Sequence, residues 1–410
     1  MAFKIITNDG SLIDYDITRI KDDLNNAFYN TKTVCDNLDD ILKYIDEILK
    51  FDKTITGYTF NEIQDIVENS LRDFKYYETA DEYNSRKIYK RCIPSGSKVY
   101  TKNGLINIED IIIGDEALTN DSYHTIIEII SQGRQKVIRI NTENGYFRCT
   151  KNHKIAIYHS TNGYAWKNAE SLKKDDILFN PKTSIEGNSN IKLPPVNNYH
   201  IRKDRINIPE FDEDIAWLFG YCYGNATLAT NKIIICFNTE ELLNKTKKII
   251  DKFSTNIHTI TNINRISNSY LIELISNNLL NYFTNYVKSS DIPYFINETT
   301  VKNRIAYING IFDSQLAVKS SNNITTITIS NLNKWTRSFQ NVCYSCGIQT
   351  QLIILKDCNK IIINNSNISF TTKVISIIDD QEEDTYDITV DSKHEFFCDG
   401  YLIHNSKKND

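Results

Sequence analysis

Apolar residues in the first 91 positions recur with two periods. Phe3-Lys4-Ile5-Ile6 is a short β-type run, Asn8-Asp9-Gly10 a tight turn, and a second run returns through Ile13 to Tyr15. Helical spacing follows over 17–29, 36–51, 59–74 and 78–91. In the third of these, Phe60, Ile63, Ile66 and Val67 share one helical face, and Thr59 with Glu62 three residues on forms a capping box. After Arg91 the texture changes abruptly. From Ile93 to about Pro181, short β-rich runs (Ser97–Tyr100, Gly133–Thr142) alternate with turns such as Asn103-Gly104. Between 205 and 365, helical runs over 213–223, 239–253, 303–312 and 334–346 alternate with β-branched strands such as Ile233–Phe237 and Thr325–Ile329. The order helix, strands, helices occurs twice, which predicts an internal duplication. β texture returns from Ile375 to Ile403. The pattern predicts a multidomain chain: a small α/β unit over 1–91, a β domain over 92–200 and 370–405, an α/β insertion over 205–365, and a short tail, 406–410.

Composition narrows this little. The 410 residues suit two to four domains at about 100–200 residues each. Hydrophobic residues at 40% and charged residues at 24% fit a globular chain and argue against wholesale disorder. A net charge of −5 announces no nucleic-acid partner, although a basic face could hide inside the average. No apolar run approaches the roughly 20 residues that span a bilayer, so no membrane partner is expected. The N-terminus lacks the apolar core of a secretory signal. Nine scattered cysteines, an odd count, argue against a disulfide framework and for a reducing compartment, the cytoplasm. Cys343-x-x-Cys346 has no second pair and reads as helix packing, not a zinc site.

The chemistry collects at the domain boundaries. Cys92 opens the β region, Thr150-x-x-His153 ends a strand within it, and His404-Asn405-Ser406 follows its last strand. Each has a plain structural reading: a small buried residue, a strand end, a polar tail. Together they are the parts needed to move a backbone acyl group. The Cys92 thiol can attack the carbonyl of Arg91 through a five-membered ring, turning an amide into a thioester with no loss of translational freedom. A thiol of pKa near 8.5 needs a base, and the departing nitrogen needs a proton. His153 suits that transfer, with Thr150 hydrogen-bonding beside it. The Ser406 hydroxyl can then take the acyl group as a branched ester. Asn405 can cyclise onto its own carbonyl, cutting the chain before Ser406, with His404 polarising that carbonyl or protonating the leaving group. An ester-to-amide shift would join Arg91 to Ser406.

Four blocks carry a family resemblance. Cys92–Asp110 resembles the N-terminal block of an intein, and Tyr146–Tyr158 the second. Thr385–Asn405 resembles the two C-terminal blocks. The resemblance implies the horseshoe-like all-β Hint fold, with both termini at one site. It also implies that Asp387 is the acid coordinating the two ends and His394 the second C-terminal histidine. Without the family these would read as a strand-end turn residue and a solvated histidine. No cofactor or metal is implied for splicing, and the partners are the flanking segments 1–91 and 406–410.

The insertion resembles a LAGLIDADG homing endonuclease, with Ala216–Ala226 and Ile308–Leu316 as its two motif helices. In that family small residues pack the helices together, here Gly220 and Gly310. Each helix ends in a carboxylate that binds divalent metal. Here Asn225 and Gln315 occupy those positions, Asp313 lies two residues early, and Asp291 replaces the lysine common before Ile-Pro. A neutral amide binds Mg²⁺ poorly, so a decayed nuclease is expected; Mg²⁺ and cutting of double-stranded DNA belong only to an active one. Residues 1–91 resemble the ATP-cone at the front of many ribonucleotide reductases, through Asn8-Asp9-Gly10, Tyr15-Asp16, Arg19-Ile20, Glu62–Val67, Ala80, Tyr83 and the basic run 86–91. Lys4, Arg19, Lys87 and Arg91 could hold ATP or dATP phosphates. Thr7-Asn8 replaces the family's Lys-Arg pair, so weak nucleotide binding and a purely structural unit both stay open. No reductase catalytic domain is expected in these residues. Rival readings are an active DNA endonuclease, a hedgehog-type Hint domain that needs no Asn-Ser pair, and a nucleotide-binding regulator.

Overall fold

The structure, a computed structural model, describes residues 4–6, 12–14, 16–51, 58–86, 92–159, 163–196, 206–253, 258–264, 269–320, 324–330, 333–364 and 370–405. The predicted sites Lys87, Arg91 and Ser406 lie outside these, as does the turn at 8–10.

The first unit runs β1 (Lys4–Ile6), β2 (Leu12–Asp14), α1 (Ile17–Thr31), α2 (Leu38–Phe51), β3 (Tyr58–Thr59), α3 (Phe60–Asp73) and α4 (Tyr77–Arg86). The strands order as β2-β1-β3, with β3 parallel to β1. Asp16 caps α1 by accepting the Thr18 N–H at 3.0 Å. The helices bury Leu24, Ile41, Ile45, Val67 and Leu71 against one another. Lys4 and Arg19 are exposed.

The β region begins with β4 (Ile93–Pro94), β5 (Lys98–Thr101), β6 (Gly104–Asn107), β7 (Glu116–Leu118), β8 (Tyr123–Thr142), β9 (Gly145–Thr150), β10 (Lys154–His159), β11 (Gly163–Asn168) and β12 (Ile177–Phe179). The insertion then contributes α5 (Glu213–Asn225), β13 (Ala226–Leu228), β14 (Ile233–Phe237), α6 (Glu240–Ile250), β15 (His258–Asn264), β16 (Ser269–Ile275), α7 (Asn277–Tyr286), α8 (Tyr294–Glu298), α9 (Val301–Asp313), β17 (Ala317–Lys319), β18 (Ile324–Ile329), α10 (Asn333–Ser345), β19 (Gln351–Ile354) and β20 (Asn359–Asn364). The β region resumes with β21 (Thr371–Val390), β22 (Glu395–Cys398) and β23 (Tyr401–His404).

The duplication is plain in the insertion. Its two four-stranded sheets order as β13-β14-β16-β15 and β17-β18-β20-β19, each entered from a long helix, α5 or α9. The β region forms one sheet that curls until its long strands β21 and β8 also pair, from Val374 opposite Thr142 to Val390 opposite Ile126. Residues far apart in sequence therefore share neighbouring strands. Alternate side chains of the curled sheet feed two cores. Val99, Phe396, Cys398, Tyr401 and Ile403 point into the core of the β region. Tyr100, Phe397 and Leu402, one residue out of phase, point into a second core shared with the insertion. This explains why 396–398 and 401–403 read as short unbroken apolar runs rather than alternations.

Candidate functional site

Cys92 is buried just before β4. Its N–H donates to Thr150 Oγ1 at 3.0 Å, and its carbonyl accepts the Thr150 N–H at 2.9 Å. The nitrogen held in this way belongs to the Arg91–Cys92 peptide bond, so a hydroxyl sits on the leaving atom of any attack by the Cys92 sulfur. Thr150 is delivered by the end of β9, and its carbonyl accepts the His153 N–H at 3.1 Å in the turn to β10. The His153 ring has no exposed surface. On the other side, β4 pairs with β21, setting Pro94 opposite Thr385 and Ile93 opposite Tyr386. Asp387 follows Tyr386 on β21, next along from the end of this pairing. Asp387 is fully buried, and its Oδ1 accepts the Ile388 N–H at 2.9 Å. Cys149, next to Thr150, points into the core, and burial pushes its thiol well above the ordinary range. It stays protonated and apolar in character.

Strand β10 links this end to the other. Ile155 sits opposite Ile403 of antiparallel β23. Asn405 is fully buried, and its N–H donates to the His394 carbonyl at 3.0 Å. With its carboxamide assigned the orientation in which each end meets a complementary group, its nitrogen donates to that same carbonyl at 2.5 Å and its oxygen accepts the Val390 N–H at 2.9 Å. His404 Nδ1 lies 2.5 Å from the Asn405 main-chain carbonyl oxygen. A carbonyl only accepts, so this nitrogen carries the hydrogen and polarises the C=O bond. Trp166 meets the His404 ring edge to face at 4.9 Å, and the His394 ring lies 6.4 Å from it. His394 has a φ of 50°, uncommon outside glycine.

A sequence model of the intein splicing domain matches residues 44–405, so its end falls on Asn405. The chain belongs to the intein splicing domain family. Its activity is autocatalytic protein splicing, which excises the intein and joins the segments that flank it. A replication factor C small subunit of Methanocaldococcus jannaschii is 24% identical over 289 residues, covering 65% of this chain; the chain spans about 14% of that protein's length. Among solved structures, a DnaB intein from Synechocystis sp. PCC 6803 is 10% identical with a TM-score of 0.28, covering 77% of this chain and 99% of its own. The homing endonuclease I-DmoI bound to DNA and Mn is 16% identical with a TM-score of 0.30, covering 37% of this chain and 89% of its own.

Within the intein's insertion, α5 and α9 pack through the two predicted glycines. A Cβ on Gly220 would lie 2.1 Å from the Tyr307 carbonyl oxygen, and one on Gly310 the same 2.1 Å from that of Trp217. The predicted metal positions are taken up by amide bonding across the pseudo-two-fold. Asn225 Oδ1 accepts the Gln315 N–H at 2.8 Å, Gln315 Nε2 donates to the Gly224 carbonyl at 3.0 Å, and Asn225 Nδ2 donates to the Cys236 carbonyl at 3.1 Å. Asp313 accepts the Trp217 indole N–H at 2.9 Å. Asp291 pairs with Lys334 at 3.2 Å and accepts the Ser338 hydroxyl. Uncharged amides held in main-chain hydrogen bonds do not fit a hard divalent cation.

Sequence reasoning missed Val390 and Trp166. The Val390 contact is a backbone N–H, which no residue type announces. Trp166 reaches His404 through the pairing of β11 with β10, where Ala156 sits opposite Trp166, and a lone tryptophan in a β run carries no such signal.

Proposed function

We propose that this intein splices by the sequence Cys92, Ser406, Asn405. The Cys92 sulfur attacks the Arg91 carbonyl carbon, the C–N bond breaks, and the nitrogen leaves with a proton, giving a thioester. His153 supplies that proton, and Thr150 keeps the leaving nitrogen in register. Ser406 Oγ then takes the acyl group, releasing the Cys92 thiol. The Asn405 side-chain nitrogen attacks its own carbonyl carbon, the bond to Ser406 breaks, and the freed Ser406 amine receives the ester's acyl group. His404 polarises the Asn405 carbonyl for this step, His394 supports it, and Asp387 couples the two ends. The observation that carries the reading is His404 Nδ1 at 2.5 Å from the carbonyl that cyclisation must attack.

The test is mass spectrometry of freshly expressed protein. Residues 1–91 joined to 406–410, with free excised 92–405, are the expected products. Cys92→Ala should leave only cleavage after Asn405, and Asn405→Ala only thiol-induced cleavage after Arg91. Ligation in both variants would overturn the assignment.

The insertion is read as a LAGLIDADG-type DNA-cutting enzyme that has lost its metal site; the Asn225–Gln315 bonding supports this. Residues 1–91 are read as part of an ATP-cone-bearing, ribonucleotide-reductase-like host, supported by the small α/β architecture and by exposed Lys4 and Arg19. Calorimetry of the Cys92→Ala chain with ATP and dATP tests nucleotide binding, and no heat at millimolar ligand leaves the unit structural. A thiol nucleophile implies work in a reducing compartment, the cytoplasm.

A further inference from the structure

Helix α10 belongs to the insertion but has two opposed faces. Trp335, Phe339, Val342 and Cys343 are buried in the insertion's side of the shared core, where Trp335 stacks on Tyr223 of α5 at 4.3 Å. Half a turn around lie Arg337, Gln340, Asn341 and Tyr344, at the i, i+3, i+4, i+7 spacing of a single stripe. All four are buried, and all four meet the splicing sheet. Arg337 donates to the Asp399 carbonyl, and its guanidinium lies 5.8 Å from the centre of the Tyr401 ring. Asn341 Nδ2 donates to Asp399 Oδ1 at 2.8 Å, and Asn341 Oδ1 accepts the Tyr100 hydroxyl at 3.1 Å. Gln340 donates to the Asn144 carbonyl at 2.5 Å. A Cβ on Gly400 would lie 2.5 Å from the Tyr344 ring.

Asp399 and Gly400 form the two-residue turn between β22 and β23, with φ of 48° and 81°. The far end of that hairpin is His404-Asn405. Its strands are buried on both faces, and the insertion's core covers the face that carries Phe397 and Leu402. A side chain that only stabilised the insertion would have no reason to spend buried, directional hydrogen bonds on this turn.

We propose that the insertion is a working part of the splicing machinery, with Arg337 and Asn341 as positioning residues that hold the β22–β23 hairpin so that His404 and Asn405 meet in cyclisation geometry. This rests on the cyclisation reading above. It predicts that the C-terminal cleavage depends on α10 and that the Cys92 step, anchored through β4, β9 and β21, does so far less.

The experiment uses the full chain in two backgrounds, Cys92→Ala to isolate cleavage after Asn405 and Asn405→Ala to isolate dithiothreitol-induced cleavage after Arg91, both followed by mass spectrometry. Arg337→Met and Asn341→Leu are expected to slow the C-terminal cleavage by about 100-fold, the scale of a misplacement near 1 Å, while changing the N-terminal cleavage by no more than about twofold. Arg337→Lys, which keeps a donor to the Asp399 carbonyl, should restore most of the C-terminal rate. Phe339→Leu loosens the opposite face of α10 and should move neither step. Equal slowing of both steps, no slowing of either, or Phe339→Leu slowing the C-terminal step as much as Arg337→Met would overturn the proposal. If the unsubstituted Cys92→Ala chain itself fails to cleave after Asn405, the cyclisation reading fails instead.

Discussion

Asn405 cannot wander. Its carboxamide is fixed at both ends by main-chain groups, the His394 carbonyl and the Val390 N–H, in a site closed to water. A nucleophile held this way has little rotational freedom left to lose on reaching its own carbonyl. His404 touches the oxygen of the carbonyl that the proposed cyclisation attacks. His404→Ala in the Cys92→Ala background should slow cleavage after Asn405 by about 10²–10⁴-fold, read by the rate at which residues 406–410 are lost in mass spectrometry. Thiol-induced cleavage after Arg91 in the Asn405→Ala background should survive the same substitution. At the other junction, chemistry is set by reach. Cys149 and Cys398 are also buried thiols, held protonated by burial, and neither follows a scissile bond.

Among the elements, the α5–α9 pair and the β8–β21 ribbon each make a stability argument. A solvent-exposed helical glycine gains about 1 kcal/mol when replaced by alanine. At Gly310 the sign should reverse, because the added Cβ meets the Trp217 carbonyl oxygen of the facing helix at 2.1 Å. Gly310→Ala is expected to cost about 1–3 kcal/mol, seen as a lower urea midpoint, and Gly220→Ala should behave alike by pseudo-symmetry. In the ribbon, Arg148 of β9 meets Asp380 at 2.7 Å and Glu383 at 2.5 Å. Burial pushes both carboxyls up, but hydrogen bonds outweigh it: the Gln381 N–H and Arg148 on Asp380, Arg148 and Gln381 on Glu383. Both end below the ordinary range. A carboxyl lowered on folding stabilises the fold above its unfolded value, about 4, and loses that contribution as pH falls through the lowered value. The urea midpoint of Arg148→Met should therefore lie clearly below the parent's at pH 7 and converge on it toward pH 3.

For the whole molecule, splicing and DNA cutting make different demands on one chain. Splicing acts at two junctions distant in sequence, and the strands beside them belong to one curled sheet, in which β4, just after Cys92, pairs with β21, and β23, just before Asn405, pairs with β10. Cutting would need charged metal ligands where the insertion's helices meet, and that place is occupied by uncharged amides held in main-chain hydrogen bonds. Incubating the excised protein with Mg²⁺ and DNA bearing an uninterrupted host site should give no cleavage on a gel. The double substitution Asn225→Asp, Gln315→Asp would keep an acceptor for the main-chain N–H at 315 but lose both side-chain donors, to the Cys236 and Gly224 carbonyls, and place two carboxylates near each other, so it should lower the urea midpoint even without restoring activity. The insertion persists as architecture: Tyr100, Phe397 and Leu402 of the splicing sheet share its core.

Much of this was written in the residues themselves. Cys92, His153, His404 and Asn405 announce acyl-transfer chemistry because functional group and chain position are local properties. Helical and strand spacing, the duplicated insertion and the packing glycines Gly220 and Gly310 likewise follow from short-range pattern. What the residues did not announce is who meets whom across long stretches of chain. The Lys98 N–H bonds to Asp399 across 301 positions, and Arg337 reaches the turn before the last strand from inside another domain. Such pairings depend on how the sheet closes and on which face the insertion covers, and no local propensity encodes either. Tertiary structure alone therefore decided that Cys92 and Asn405 are both buried, that Asn225 and Gln315 are tied into main-chain hydrogen bonds across the pseudo-two-fold, and that α10 grips the hairpin carrying Asn405.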